Sequence, residues 1–78
     1  MVKAYVFINV KGGTEYELYE KLMDIPNLEE ISLVWGLFDI ILKVDASSAN
    51  ALDKLVGEEV RKYENITSTM TMIIREDE

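Results

Sequence analysis

The 78 residues include eight basic and 15 acidic side chains, a net charge of −7, and neither Cys nor His. That balance disfavours direct binding to nucleic acid, whose affinity rests largely on Lys and Arg neutralising phosphates; the missing residue types exclude disulfides, thiolate nucleophiles, imidazole bases and the commonest zinc ligands. Hydrophobic residues make up 49%, enough for a core, but no apolar run approaches the ~20 residues of a membrane span, and a chain this short buries only roughly 60% of its unfolded surface. The expectation is one domain over residues 1–78, near the lower size limit and in need of a partner. The opening Met1-Val2-Lys3-Ala4 leads straight into a strand pattern without signal-peptide regions, so a cytoplasmic location is expected.

From Val2 to Val10 the pattern alternates, with Val2, Ala4, Val6, Ile8 and Val10 on one side and Lys3, Tyr5, Phe7 and Asn9 on the other, which predicts a first strand. Lys11-Gly12-Gly13 breaks it. Thr14 and Glu17 have the spacing of a capping box, and Leu18, Leu22 and Ile25 recur along one face with Tyr19 beside them, so a first helix follows. Pro26-Asn27 ends it, since residues before Pro avoid the α region, and a second strand is predicted from about Leu28.

The segment Val34-Trp35-Gly36-Leu37-Phe38-Asp39 reads as the tip of a hairpin. Gly36-Leu37 suits a two-residue type II′ turn, in which the first central residue needs positive φ. The register then places Trp35 opposite Phe38, Val34 opposite Asp39, Leu33 opposite Ile40, Ser32 opposite Ile41, Ile31 opposite Leu42, and Glu30 opposite Lys43. One face collects Ile31, Leu33, Trp35, Phe38, Ile40 and Leu42 without a polar residue, and a one-residue slip would destroy that sorting.

After the third strand, near Val44, the stretch Asp45-Ala46-Ser47-Ser48 offers N-cap oxygens. Leu52, Leu55, Val56, Val60 and Tyr63 mark one face of a second helix, slightly weakened by Gly57. Ile66 to Arg75 has the composition of a last strand, and Arg75-Glu76-Asp77-Glu78 that of a frayed polar end. The order βαββαβ predicts a ferredoxin-like α+β fold: a four-stranded antiparallel sheet, strands one and three central, both helices on one face. Two helices cover only one side of such a sheet. The other side should carry Tyr5, Phe7, Val34 and Ile41, a mixture too apolar for water alone, so these residues are the expected interface with a second copy.

Gly36-Leu37-Phe38-Asp39, Ala4-Tyr5-Val6-Phe7-Ile8-Asn9-Val10, the Ile25-Pro26 helix exit, Ile40-Ile41-Leu42-Lys43-Val44 and Ser68-Thr69-Met70-Thr71-Met72-Ile73-Ile74 together resemble the effector-binding domain of the Lrp/AsnC transcription regulators, also termed RAM for regulation of amino-acid metabolism. The distinctive part is the Gly-x-aromatic-Asp element. The resemblance implies a module that senses an amino acid, forms homodimers through its sheet, assembles into rings of dimers and holds its effector near the hairpin where dimers meet. It implies no cofactor and no enzymatic activity, and it makes full-length regulators of the family expected partners. The helix-turn-helix of those regulators has no counterpart here, so a stand-alone effector domain is expected. Trp35 stands where a small hydroxyl residue is usual, and Leu37 where an acidic or polar one is frequent.

The residues themselves leave alternatives open. Asp39 can hold a ligand ammonium or accept amide hydrogen bonds within its own hairpin. Trp35 can roof a pocket or pack against Phe38. Thr69 and Thr71 are secondary ligand candidates beside Val34, Trp35, Gly36, Leu37, Phe38 and Asp39, although β-propensity alone explains them. Glu15, Glu17 and Glu20 read as a solvated face. A small dimeric oxygenase or isomerase would have to rest its chemistry on Asp39, a Tyr or a Lys, with no catalytic or metal constellation evident. A regulatory domain of the ACT type would share fold and ligand class but lack the Gly-x-aromatic-Asp hairpin.

Overall fold

The computed structural model describes residues 1–75, and the predicted polar end from Glu76 to Glu78 lies outside them. Four strands, β1 (Val2–Val10), β2 (Leu28–Leu33), β3 (Ile40–Ala46) and β4 (Ile66–Ile73), form one antiparallel sheet in the order β2-β3-β1-β4. Helix α1 (Glu15–Leu22) joins β1 to β2, and α2 (Ala49–Leu55), extended by a π-helical turn over Val56–Val60, joins β3 to β4. The fold is the ferredoxin-like α+β arrangement that the pattern predicts.

Alternation decides which side is dry. Ala4, Val6, Ile8 and Val10 of β1 and Ile40, Leu42, Val44 and Ala46 of β3 are buried in one cluster with Leu18 and Leu22 of α1 and Leu52, Leu55, Val56 and Val60 of the second helical segment. Both helices therefore pack on the same face. Each Val, Leu or Ile side chain taken out of water contributes roughly 1.5–3 kcal/mol, and the cluster contains no buried polar residue that would offset this. The β2–β3 register is the one predicted, with Leu33 opposite Ile40, Ser32 opposite Ile41, Ile31 opposite Leu42 and Glu30 opposite Lys43.

Local signals succeed unevenly. Ser48 caps α2 as predicted, its Oγ accepting from the Ala51 amide at 3.1 Å. The capping box at α1 does not form: the Thr14 hydroxyl donates to the Lys11 carbonyl at 2.7 Å, and Glu17 pairs with Lys21 at 3.1 Å. Helix α1 also stops at Leu22, before Pro26; the chain then turns through Asn27, at φ 65° in the left-handed region that Asn tolerates.

The hairpin tip departs most from expectation. Regular pairing stops at Leu33 and Ile40, and residues 34–39 form an open loop with one closing bond, Val34 N–H to the Asp39 carbonyl at 3.0 Å. Gly36 does have positive φ, but at 144° it is far from a tight II′ geometry. Trp35 and Phe38 consequently leave the core face. The Trp35 ring is fully exposed at 103%, and Phe38 turns to the other side of the sheet against Phe7, ring centroids 5.2 Å apart. Once ladder bonds end, nothing holds side chains to the two-residue alternation.

Candidate functional site

Where α1 begins, the loop between β2 and β3 bends over it and leaves a cavity of about 110 Å³ lined by Glu15, Tyr16, Leu33, Val34, Trp35 and Asp39. Leu33 and Val34 form an aliphatic wall at the end of β2, while Trp35 and the largely exposed Tyr16 supply aromatic surface at the mouth. Among the described residues the lining has two carboxylates and no basic side chain.

Asp39 is fixed by three bonds. Its N–H donates to the Ile8 carbonyl at 2.9 Å, its carbonyl accepts from Val34, and its Oδ2 accepts from the Val10 N–H at 2.9 Å. The amide-acceptor reading of this residue is thus realised, although the amide comes from β1 and not from the hairpin. A carboxylate offers about four lone-pair sites, so this anchoring leaves acceptor capacity for a ligand and sets the direction in which it is presented.

Glu15 was not legible as a site residue. It sits in the first turn of α1, and its Oε1 is buried without a hydrogen-bond partner among the described residues. A signal was present: helical side chains lean back toward the N-terminus, so a first-turn acid reaches beyond its own helix. The neighbouring Glu17 and Glu20 are exposed, as expected.

The structure does not bring Thr69 and Thr71 to this cavity within one protomer. They pair with Ile8 and Val6 on β4, the sheet edge opposite β2. The Thr69 hydroxyl accepts from Arg61 Nε at 3.2 Å, and Thr69 helps line a separate cavity of about 240 Å³ with Arg61, Ile66, Thr67 and Ser68. Gly36 and the exposed Leu37 sit at the loop tip.

On the face away from the helices, Tyr5, Phe7 and Ile41 stand together as predicted, Phe7 opposite Ile41 and ring-to-ring with Tyr5 at 6.3 Å. Val34 lines the cavity beside α1. Met70 and Met72, opposite Phe7 and Tyr5, extend the apolar surface and are about half exposed at 49% and 54%. Among the described residues no group of three or more acidic, His or Cys side chains gathers as for a metal ion, and no helix is long and apolar enough to cross a membrane.

Residues 3–77 match the Lrp/AsnC ligand binding domain. An HTH-type transcriptional regulator of Pyrococcus furiosus, PF0250, is 37% identical over 62 residues, covering 80% of this chain and 41% of the regulator; the chain spans less than half the length of the curated regulators it matches. The crystal structure of PHS023 from Pyrococcus horikoshii is 35% identical with a TM-score of 0.88, covering 99% of this chain and 93% of that one. A feast or famine regulatory protein of M. tuberculosis, Rv3291c, solved in complex with L-methionine, is 26% identical with a TM-score of 0.84 over 99% of this chain and 52% of that one. On fold, hairpin and sequence alike, the chain belongs to the Lrp/AsnC family, as one of its ligand binding domains.

Proposed function

We propose that this domain binds a small α-amino acid at the cavity beside residues 34–39 and, through dimers and higher assemblies of dimers, passes its occupancy to transcription. The observation that carries the reading is the fixed Asp39 carboxylate in a concave, partly apolar wall. An amino acid presents an ammonium and a carboxylate on one carbon, so a selective site needs an acceptor for one and donors for the other, shielded from water. Asp39 is the acceptor; the amides around Leu37 and Phe38, approachable because Gly36 has no Cβ, are the donors. The methionine-bound M. tuberculosis relative supports this ligand class.

The cavity's 110 Å³ falls well short of an enclosed ligand pocket, which occupies roughly 300–1,000 Å³. One protomer therefore grips one end of the ligand, and a neighbouring subunit closes the site, so that binding favours the larger assembly by mass action. In that junction Thr69 and Thr71 of a neighbour are the candidates to assist. DNA contact belongs to a helix-turn-helix region such as the regulators among its relatives carry, in the same polypeptide or in a full-length partner. The acidic domain itself does not bind DNA.

The test is calorimetric titration of the twenty amino acids into the wild type and an Asp39→Asn variant, which keeps an acceptor for Val10 but loses the charge. Binding by at least one amino acid, weakened about tenfold or more in the variant, is expected for loss of a charged hydrogen bond. No heat with any amino acid overturns the proposal, and equal affinities remove Asp39 from the site.

A further inference from the structure

We infer that the cavity is selective for a ligand bearing a second positive charge, a dibasic α-amino acid with an amine-tipped side chain, and that Glu15 is the residue that imposes the selection. This rests on the amino-acid reading above and adds the chemistry of the side chain.

Charge is the first observation. The lining brings two carboxylates, Glu15 and Asp39, to one small cavity with no Lys or Arg among the lining residues. A zwitterion with an apolar side chain carries no net charge; its ammonium can satisfy Asp39, but Glu15 remains uncompensated and its own carboxylate adds a further negative charge nearby. A ligand with an amine-tipped side chain supplies one cation to each acid.

The second observation is independent of charge counting. Glu15 Oε1 is buried and lacks a hydrogen-bond partner among the described residues. Other acids of this chain do pair: Glu17 with Lys21 at 3.1 Å, Glu29 with Lys3 at 3.2 Å and Glu59 with Lys62 at 3.4 Å. The helix dipole accounts for an acidic residue in the first turn of α1, but an exposed carboxylate would serve the dipole equally well. It does not account for an oxygen turned inward. The last torsion of a Glu side chain is soft and roughly two-fold, so a small rotation presents that oxygen to a donor entering the cavity.

The walls fit the same ligand. Leu33 and Val34 offer aliphatic contact for a methylene stem, and Tyr16 and Trp35 place aromatic surface where an ammonium gains from the ring face. Trp35 thereby has a use for its exposed ring that packing does not provide.

The experiment compares L-lysine, L-norleucine, which keeps the four-carbon stem without the charge, and pentane-1,5-diamine, which keeps the cations without the carboxylate. Each is titrated into the wild type, Glu15→Gln and a control, Glu20→Gln, which removes an exposed charge of the same helix. L-lysine should bind the wild type and the control about tenfold or more tightly than L-norleucine, and the ratio should fall toward one in Glu15→Gln. Equal affinity of the wild type for the two amino acids overturns the inference and leaves the amino-acid reading intact, as does a lysine preference that survives Glu15→Gln. Glu15-dependent binding of the diamine without binding of either amino acid would show a cation site at Glu15 but overturns selectivity for a dibasic α-amino acid. Silence from all three probes overturns the inference and leaves the amino-acid reading to the titration of the twenty amino acids.

Discussion

Beyond Ile8 and Ile40 the β1–β3 ladder has no further residue pair, and Asp39 substitutes for one, its own amide bonding Ile8 and its carboxylate bonding the amide of the nearly buried Val10. The residue proposed to face the ligand therefore also holds the loop to the sheet. Asp39→Ala should destabilise the fold by about 1–3 kcal/mol, because it strands the Val10 amide, whereas Asp39→Asn should recover most of this through its amide oxygen; urea denaturation of both variants measures the difference. That ordering also makes the Asn variant the cleaner probe of ligand binding. Gly36 is a second position where one residue decides the loop. At φ 144° an L side chain is strained even though a Cβ there would meet no atom within 4 Å. Gly36→Ala should cost about 1–3 kcal/mol from backbone strain alone, read as a lower denaturation midpoint, and a change below 0.5 kcal/mol, the usual scatter of surface substitutions, would show that the loop relaxes at no cost.

At the scale of elements, what the sequence discloses depends on how many independent interactions enforce each feature. The alternation from Val2 to Val10 matches β1 to the residue because every second side chain is either in the core or out of it. The β2–β3 register follows for the same reason, since a slip would expose Ile31, Leu33, Ile40 and Leu42 together. Legibility ends where that redundancy ends. The tip lies beyond the last ladder pair, so Trp35 and Phe38 escape the alternation, and the capping box competes with an alternative acceptor on Lys11 and loses. That Glu15 lines a cavity depends on which loop lies over α1, a tertiary fact that local spacing does not carry. The π-helical turn after Leu55 was equally invisible; Leu52, Leu55, Val56 and Val60 all reach the core across it, which the wider turn permits. Within that turn Gly57 is exposed, has no positive φ and leaves open space for a Cβ. Gly57→Ala should therefore stabilise the chain by about 0.4–1 kcal/mol, mainly by restricting the unfolded state, seen as a raised urea midpoint with an unchanged m value. A loss of stability would mean that the turn needs glycine for reasons beyond steric room.

At the scale of the whole molecule, the sheet has one face covered by helices and one that no element among the described residues covers. Tyr5, Phe7, Ile41, Met70 and Met72 occupy the centre of that outer face, with Phe38 leaning onto Phe7 from the loop. Polar groups rim it: Asn9 bonds Ser68 at 3.1 Å, and Lys43 lies 5.8 Å from the Tyr5 ring centre. An apolar centre with a polar rim has the make-up of an interface, and the proposed occupant is a second copy, which would add buried area to so small a core. Against association stands charge, since each copy carries −7. The repulsion acts over distance and is screened beyond about 8 Å at physiological ionic strength, whereas apolar contact is little weakened by moderate salt. Sedimentation equilibrium of the wild type should therefore show a dimer at micromolar concentration that tightens as salt is raised from 20 to roughly 200 mM, a range over which the Debye length falls severalfold. An interface held by ion pairs would loosen instead. Phe7→Glu places a carboxylate at the centre of the apolar patch, where pairing would bury two unpartnered charges across the symmetric contact. Because Phe7 points away from the helix-covered core, the variant should keep a wild-type far-UV spectrum while sedimenting as a monomer. A wild-type monomer, or a dimer indifferent to Phe7→Glu, would assign the outer face to some other partner and leave the ligand site, closed on this account only by assembly, without its second wall.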